Sequence, residues 1–390
     1  MSASTPMRSN FLSNTEVLEL LQVLVRTPSI NPTLAPDASH GEEALAVCAR
    51  DWLLERGVEA WLEHVATGRP NVVAQVGEGD GPTLIFCAHI DTVSTEGMNI
   101  PPFEPLVEGD RVYGRGSYDM KGGVAAAMVA AAALKNQDLA GRVKLALVVD
   151  EEHSSIGADH FVANHTGDAC IVTEPTEGRL ILTHKGFVWV RLTTSGTAAH
   201  GSRWDLGVSA IGKMGNIIAG LKRFDQEELR QRPRPRPSPD VGPASLHAAL
   251  VKGGVGISTY APSCELQVER RTLPGETVEG VVEELERIVA RSGEEARIEA
   301  FFDRQPLVCD PGSKLASCVR DSAIAELGEA PEETGVAYWT DAAIFAAAGI
   351  PALNYGPGGD GAHAAVEWVS LCSVVSTAKV LAEAARRFCY

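Results

Sequence analysis

Thr83-Leu84-Ile85-Phe86-Cys87-Ala88-His89-Ile90-Asp91 decides how the rest of the chain is read. An uncharged, largely apolar run of this length suits a strand buried on both faces, as in the centre of an α/β sheet. His89 and Asp91 follow it two residues apart, so on extended backbone they share a face. Buried strands put their C-terminal ends on one edge of a sheet. Four further polar stretches follow or adjoin a predicted strand and can converge on that edge. They are Gly114-Arg115-Gly116-Ser117-Tyr118-Asp119-Met120-Lys121-Gly122-Gly123, Asp150-Glu151-Glu152-His153 after 143–149, Thr173-Glu174-Pro175-Thr176, and Gly361-Ala362-His363.

Two histidines and three or four carboxylates on one edge make a site for hard or borderline divalent metals. One residue must bridge if five ligands are to serve two ions. Asp119 lies in a glycine-rich turn before an Ala-rich helix, where it is either a helix N-cap or a carboxylate with one oxygen for each ion. Glu151 and Glu152 repel one another and are costly to bury without a cation. A metal on one resolves the conflict and leaves the other to take a proton. A ligating histidine usually donates its second ring N–H to an oxygen acceptor, and how Asp91 orients the site stays open. His153 is read as a nearby or surface imidazole.

Working outward, the Ser13-x-x-Glu16 capping box opens a helix with Val17, Leu20, Leu21 and Leu24 at helical spacing, stopped by Pro28. A second helix is predicted over 42–56, strands over 58–64, 71–77, 83–90, 143–149 and 169–173, and helices over 122–135 and from Ala158. Strands alternating with helices predict an α/β fold, a mixed sheet with helices on both faces. The rhythm changes near His184-Lys185-Gly186. The run 187–194 alternates, as a strand with one solvated face does. A long amphipathic segment follows from Ser209 to about Arg230, then strands over 245–251 and 265–271 and a helix over 276–290. Arg232-Pro233-Arg234-Pro235-Arg236-Pro237-Ser238-Pro239 lacks a backbone donor at every second residue and is read as an exposed loop. The α/β rhythm returns after about Asp303. The catalytic domain is therefore expected to be discontinuous, 1–184 and 304–390, with a smaller α+β insert at 185–303.

The chain carries a formal charge of −17, which argues against nucleic-acid and anionic-membrane partners. No N-terminal stretch has the signal-peptide pattern, and no apolar run reaches the roughly 18 residues needed to span a bilayer. The eight cysteines are scattered without C-x-x-C spacing, so a reduced, cytoplasmic compartment is expected. Gly356-Pro357-Gly358-Gly359-Asp360-Gly361 fits G-x-G-x-x-G, but only 29 residues follow, too few for a dinucleotide-binding βαβ unit. It is read as a turn presenting His363.

The ordered motif string resembles the metal-dependent amidohydrolases and peptidases of peptidase family M20, the group of aminoacylase, acetylornithine deacetylase, succinyl-diaminopimelate desuccinylase and carboxypeptidase G2. The resemblance covers nearly the whole chain. It implies a zinc-exopeptidase-like catalytic domain with two divalent ions, zinc or cobalt, and an inserted lid that usually also forms a homodimer. It implies that His89 and Glu174 hold one metal, Glu152 and His363 the other, and that Asp119 bridges them, with Glu151 as general base and Asp91 grouped with the catalytic residues. Gly196-Thr197-Ala198-Ala199-His200-Gly201-Ser202 is similar to the lid motif whose histidine stabilises the oxyanion. Trp204 and Ser209 depart from that motif and bear on loop shape. Arg271, before Leu273-Pro274-Gly275, would bind a substrate carboxylate, with Arg270 the alternative. Thr340-Asp341 matches a turn near the substrate, or is a helix N-cap. The implied reaction is deacylation of a small N-acyl amino acid, as by acetylornithine deacetylase. A succinyl-diaminopimelate desuccinylase, a dipeptidase or carboxypeptidase, and a non-catalytic metal-binding relative are the alternatives. The acyl group and the amino acid are not legible in the sequence.

Overall fold

The computed structural model describes residues 13–35, 41–233 and 241–390. Most of the proline-rich tract therefore lies outside the described residues. By packing, the chain divides into two compact units. The first comprises the chain up to Leu182, Cys309–Thr334 and Thr340–Tyr390; the second comprises Thr183–Val308 and Gly335–Trp339. The short return of 335–339 to the second unit has a local cause. The Trp339 indole N–H donates to the Gln305 carbonyl at 3.1 Å, and its ring meets Phe187 edge-on at 5.8 Å.

In the first unit the strands lie in the order Glu59–Ala66, Arg69–Val76, Arg142–Val148, Thr83–His89, Ala169–Val172, Ala352–Asn354 and Leu180–His184. Thr83–His89 pairs in parallel with both Arg142–Val148 and Ala169–Val172, and Ala352–Asn354 is parallel to Ala169–Val172. Four strands thus end on the same edge, and the polar residues 89–91, 150–153 and 173–176 lie at the ends of three of them, whereas the Asp119 turn follows Arg111–Tyr113 of a separate sheet. Alternation along Thr83–His89 sends Leu84, Phe86 and Ala88 into the main core with helices Asn14–Arg26, Gly122–Leu134 and Leu371–Phe388. Ile85 and Cys87, on the opposite face, are equally buried. Burial on both faces is why this strand has no polar alternation. Each such Leu, Val or Phe contributes about 1.5–3 kcal/mol relative to exposure. The Ser13–Glu16 capping box forms on the first helix, as its spacing predicts.

Gly122–Leu134 begins hard against the sheet edge. A Cβ on Gly123 would lie 2.1 Å from the Thr173 carbonyl oxygen, so no larger residue starts this helix in place. Among the described residues, no helix is long and apolar enough to cross a membrane.

The second unit is a four-stranded antiparallel sheet in the order Ser245–Gly253, Ser263–Thr272, Gly186–Ser195, Arg297–Arg304. Val188, Val190, Leu192, Leu266 and Val268 turn inward onto helices Ala210–Arg223 and Val278–Arg291. The odd-numbered residues of Gly186–Ser195 and Ser263–Thr272 stand on the uncovered face. The strand Arg297–Arg304 was not expected from sequence, because a register shift between Ala300 and Phe302 breaks its alternation.

Candidate functional site

His89 ends its strand with the ring buried, 1% exposed. Its Nδ1 lies 2.9 Å from the Asp91 carbonyl oxygen, so Nε2 faces the acidic cluster. There it meets Asp119 Oδ1 at 3.1 Å, with Glu151 Oε2 and Glu174 Oε1 each at 3.9 Å. Burial works to lower the imidazole pKa, but hydrogen bonds with Asp119 and Asp91 and the fields of Glu174 and Glu151 outweigh it and hold the ring well above its ordinary value.

Asp119 is placed by a carboxylate that sequence reasoning missed. Buried Glu367 accepts from Arg115 Nη1 at 2.7 Å and from the backbone N–H groups of Gly116, Tyr118 and Asp119 at 2.9, 3.0 and 3.0 Å. Gly116, at φ 75°, makes the turn that lets the N–H groups of Gly116, Tyr118 and Asp119 face one acceptor, while the Ser117 N–H bonds to the Gly114 carbonyl. Asp119 is therefore not a helix cap. Its Oδ1 meets His89, and its Oδ2 lies 3.4 Å from Nε2 of His363. His363 sits at φ 61° in the Gly361 turn, with its ring half-exposed. Its Nε2 is 3.0 Å from Glu152 Oε2. Contacts with Asp119 and Glu152 push this imidazole up to about 10.

The Asp91 carboxylate does something the sequence did not reveal. Its Oδ1 accepts the Glu151 N–H and its Oδ2 the Glu152 N–H, each at 3.1 Å. Asn31 Nδ2 donates to Asp91 Oδ2 at 2.8 Å and to Asp150 Oδ1 at 3.0 Å. Arg69 ties Asp150 to Glu42, with 2.7 Å to the former and 2.5 Å to the latter. A buried network thus fixes the backbone from which both glutamates project.

The three glutamates are in a charge-disfavouring setting. Burial, foremost, and the neighbouring carboxylates Glu174, Asp341 and Glu152 push Glu151 well up, against the pull of His89. Glu174 is raised well above its ordinary value by burial first, with Asp119, Asp341 and Glu152 adding to it against His89. Glu152 is raised by burial and then by Asp119. Glu174 Oε1 is buried and, among the described residues, has no hydrogen-bond partner. Asp341 is buried at the N-cap position of the helix Ala342–Ala347, where the oxygen that accepts the Ala342 N–H, at 3.3 Å, is Thr340 Oγ1.

Ligand atoms of His89, Glu151 and Glu174, and likewise of His89, Asp119 and Glu152, lie within 4.8 Å of one another. An orphaned buried carboxylate oxygen, crowded like charges and imidazole nitrogens aimed at them fit divalent cations, which would satisfy all three at once.

In the second unit, His200 is exposed on its loop, with Nδ1 2.9 Å from Ser202 Oγ. Arg270 turns into the core and is fully engaged there. It pairs with Glu284 at 3.1 Å and Glu276 at 2.8 Å. Arg271 turns outward, with Nε 2.8 Å from Glu269 Oε1 and its guanidinium 5.1 Å from the Phe187 ring centre.

Residues 85–387 match peptidase family M20/M25/M40. The acetylornithine deacetylase of Vibrio cholerae is 32% identical over 388 residues, covering 96% of this chain and 98% of the relative. A tripeptidase from Staphylococcus aureus has a similar fold, with a TM-score of 0.78 at 18% identity over 96% of this chain and 98% of that one. A dinuclear metal-binding peptidase of the M20 family from Bacillus subtilis gives 0.71 at 18% identity, over 95% of this chain and 97% of its own. The chain belongs to peptidase family M20/M25/M40.

Proposed function

We propose that this M20-family chain is a metal-dependent amidohydrolase that deacylates a small N-acyl amino acid, releasing a carboxylate and the free amino acid. The observation that carries the reading is Asp119, one carboxylate oxygen turned to His89 and the other to His363 across a cluster of destabilised glutamates. The full-length similarity to relatives named acetylornithine deacetylase favours deacylation over peptide trimming.

In this reading His89 and Glu174 would hold one ion, Glu152 and His363 the other, and Asp119 would serve both. Zinc suits the mixed imidazole–carboxylate set, and cobalt is the second choice. Bound there, the cations would polarise the amide carbonyl and make water a nucleophile near neutral pH. Glu151 accepts the proton of the attacking water and returns it to the leaving amine. Asp91, by gripping two backbone N–H groups, keeps Glu151 and Glu152 in register. His200 donates to the oxyanion, Arg271 binds the substrate carboxylate through parallel hydrogen bonds, and Asp341 lies on the substrate side.

Homodimerisation through 185–303 is part of the proposal. The edge strand Ser245–Gly253 and the turn after it expose Leu250, Val251, Val255 and Ile257, which supports a pairing surface there. Eight free cysteines support a cytoplasmic location.

Metal analysis of the purified protein should find two divalent ions per chain, and Asp119→Ala should bind fewer and turn over little. N-acetyl and N-succinyl amino acids and dipeptides should be tested in parallel with added Zn²⁺ or Co²⁺. Activity that survives exhaustive chelation would sink the metalloenzyme reading, and turnover of dipeptides alone would redirect it to a peptidase.

A further inference from the structure

The uncovered face of the second unit's sheet changes character along its strands. Toward one end it is a lattice of charges, in which Arg191 meets Glu265 at 3.4 Å and Glu299 at 3.7 Å, and Arg297 meets Glu299 at 3.3 Å. Toward the other end it is aromatic. Phe187 lies 5.3 Å from Trp189, 5.9 Å from Phe302 and 5.8 Å from Trp339. Trp189, Phe302 and Trp339 are only partly buried. These rings form an apolar surface that is not sealed within the core.

Arg271 stands at the border of that surface. Glu269 engages its Nε, and the other Glu269 oxygen accepts the Trp189 indole N–H at 3.0 Å. The guanidinium carbon lies 5.1 Å from the Phe187 ring centre. Among the described residues, its two terminal amino groups make no hydrogen bond. A guanidinium fixed in this way keeps its outer edge for a planar acceptor such as a carboxylate. A second cation, Arg304, lies 4.9 Å from the Phe302 ring centre and 5.8 Å from that of Trp339.

We infer that this face binds a carboxylate whose neighbouring group is apolar or aromatic, with Arg271 taking the carboxylate and Trp189, Phe302 and Trp339 taking the side chain. The inference rests on the proposed deacylase reading and names its substrate class: N-acyl derivatives of aromatic or large aliphatic amino acids. A cationic side chain of the ornithine type suits this surface poorly. The acidic group beside the rings, Glu269, already has both oxygens engaged, and an ammonium there would meet two arginines. Aromatic faces do attract cations, by about 0.5–1 kcal/mol at exposed sites, but here Arg271 and Arg304 already lie over the rings.

The test has two arms on the full-length protein. Calorimetric titration of the metal-stripped protein with N-acetyl-L-phenylalanine measures binding without turnover. Wild type should bind it more tightly than N-acetyl-L-ornithine, and both Arg271→Ala and Trp339→Ala should weaken that binding. In the metal-loaded enzyme, kcat/KM for N-acetyl-L-phenylalanine should exceed that for N-acetyl-L-ornithine by about tenfold or more, the scale on which apolar pockets discriminate. Trp339→Ala should shrink that ratio, mainly through KM, and Arg271→Lys should weaken both substrates together. A preference for N-acetyl-L-ornithine, or a ratio indifferent to Trp339→Ala and to Phe302→Leu, overturns the inference while leaving deacylation intact. Hydrolysis of no N-acyl amino acid overturns the proposed function instead, and the titration arm then decides the binding surface by itself.

Discussion

The acidic cluster of the first unit and the uncovered sheet face of the second are both crowded with charge, and they differ in whether the charge is balanced. At the charged end of the sheet face the arginines have glutamates beside them: Arg191 with Glu265 and Glu299, Arg297 with Glu299. In the cluster, Glu151, Glu152, Glu174, Asp119 and Asp341 crowd around the buried His89 and the half-exposed His363, and among the described residues Glu174 Oε1 has no hydrogen-bond partner. Like charges that cost free energy when buried need a cation. Charges that are mutually paired at the surface ask for nothing further. The imbalance, more than the number of carboxylates, marks the first region as chemical.

The sharpest way to break that contrast is Glu151→Gln, which removes one negative charge and the proposed base together. Turnover should fall by about 10³ or more, while metal analysis still finds two ions. The metal-free variant should melt no lower than metal-free wild type, since it loses a repulsive carboxylate. A variant nearly as fast as wild type would require another base. A metal-free variant that melts well below wild type would show that Glu151 is not under repulsion.

His200 gives the next largest effect. His200→Ala should bind metal normally and lose about 10²–10³ in kcat, as removal of one oxyanion donor does. Mixing His200→Ala with Glu151→Ala subunits tests whether the histidine serves the partner. Recovered activity means delivery across a dimer, because one site of each mixed dimer is then intact. No recovery despite verified subunit exchange rules that out and leaves action within one chain.

What the sequence disclosed, and what it hid, follows from the range of the interactions. His89, Glu151, Glu152 and Glu174 were legible because each ends or follows a largely apolar strand of the central sheet. Glu367 was not. Its partners are the backbone N–H groups of the Asp119 turn, 248 residues from it at Asp119, and no side-chain pattern encodes them. Asp91 was legible as a site residue, but its carboxylate grips the Glu151 and Glu152 backbone, a role that emerges only when two parallel strand ends lie side by side. Alternation puts Arg270 on the inward face of Leu266 and Val268 and Arg271 on the other; what the sequence did not disclose is that Glu276 and Glu284 wait there to pair with Arg270.

The smallest effect is expected on the balanced side of the comparison. Arg191 pairs with two glutamates and lies 4.9 Å from the Phe301 ring centre, but it is one-third exposed and both partners are more so. Water screens such pairs, and each is worth about 0.2–1 kcal/mol by double-mutant cycles, with an exposed cation–π contact adding about 0.5–1 kcal/mol. Losing the arginine also returns side-chain entropy and leaves glutamates that water can solvate. Arg191→Ala should therefore cost under about 1 kcal/mol, a melting shift of about 2–4 °C or less, with kcat and metal content unchanged. Arg270→Ala, one strand over and facing inward, leaves Glu284 and Glu276 with only the partly exposed Arg232 as a cation and should cost about 3 kcal/mol. If the two substitutions cost the same, the distinction between paired surface charge and buried charge that needs a partner fails within a single sheet. The reading of the acidic cluster would then lose its physical footing.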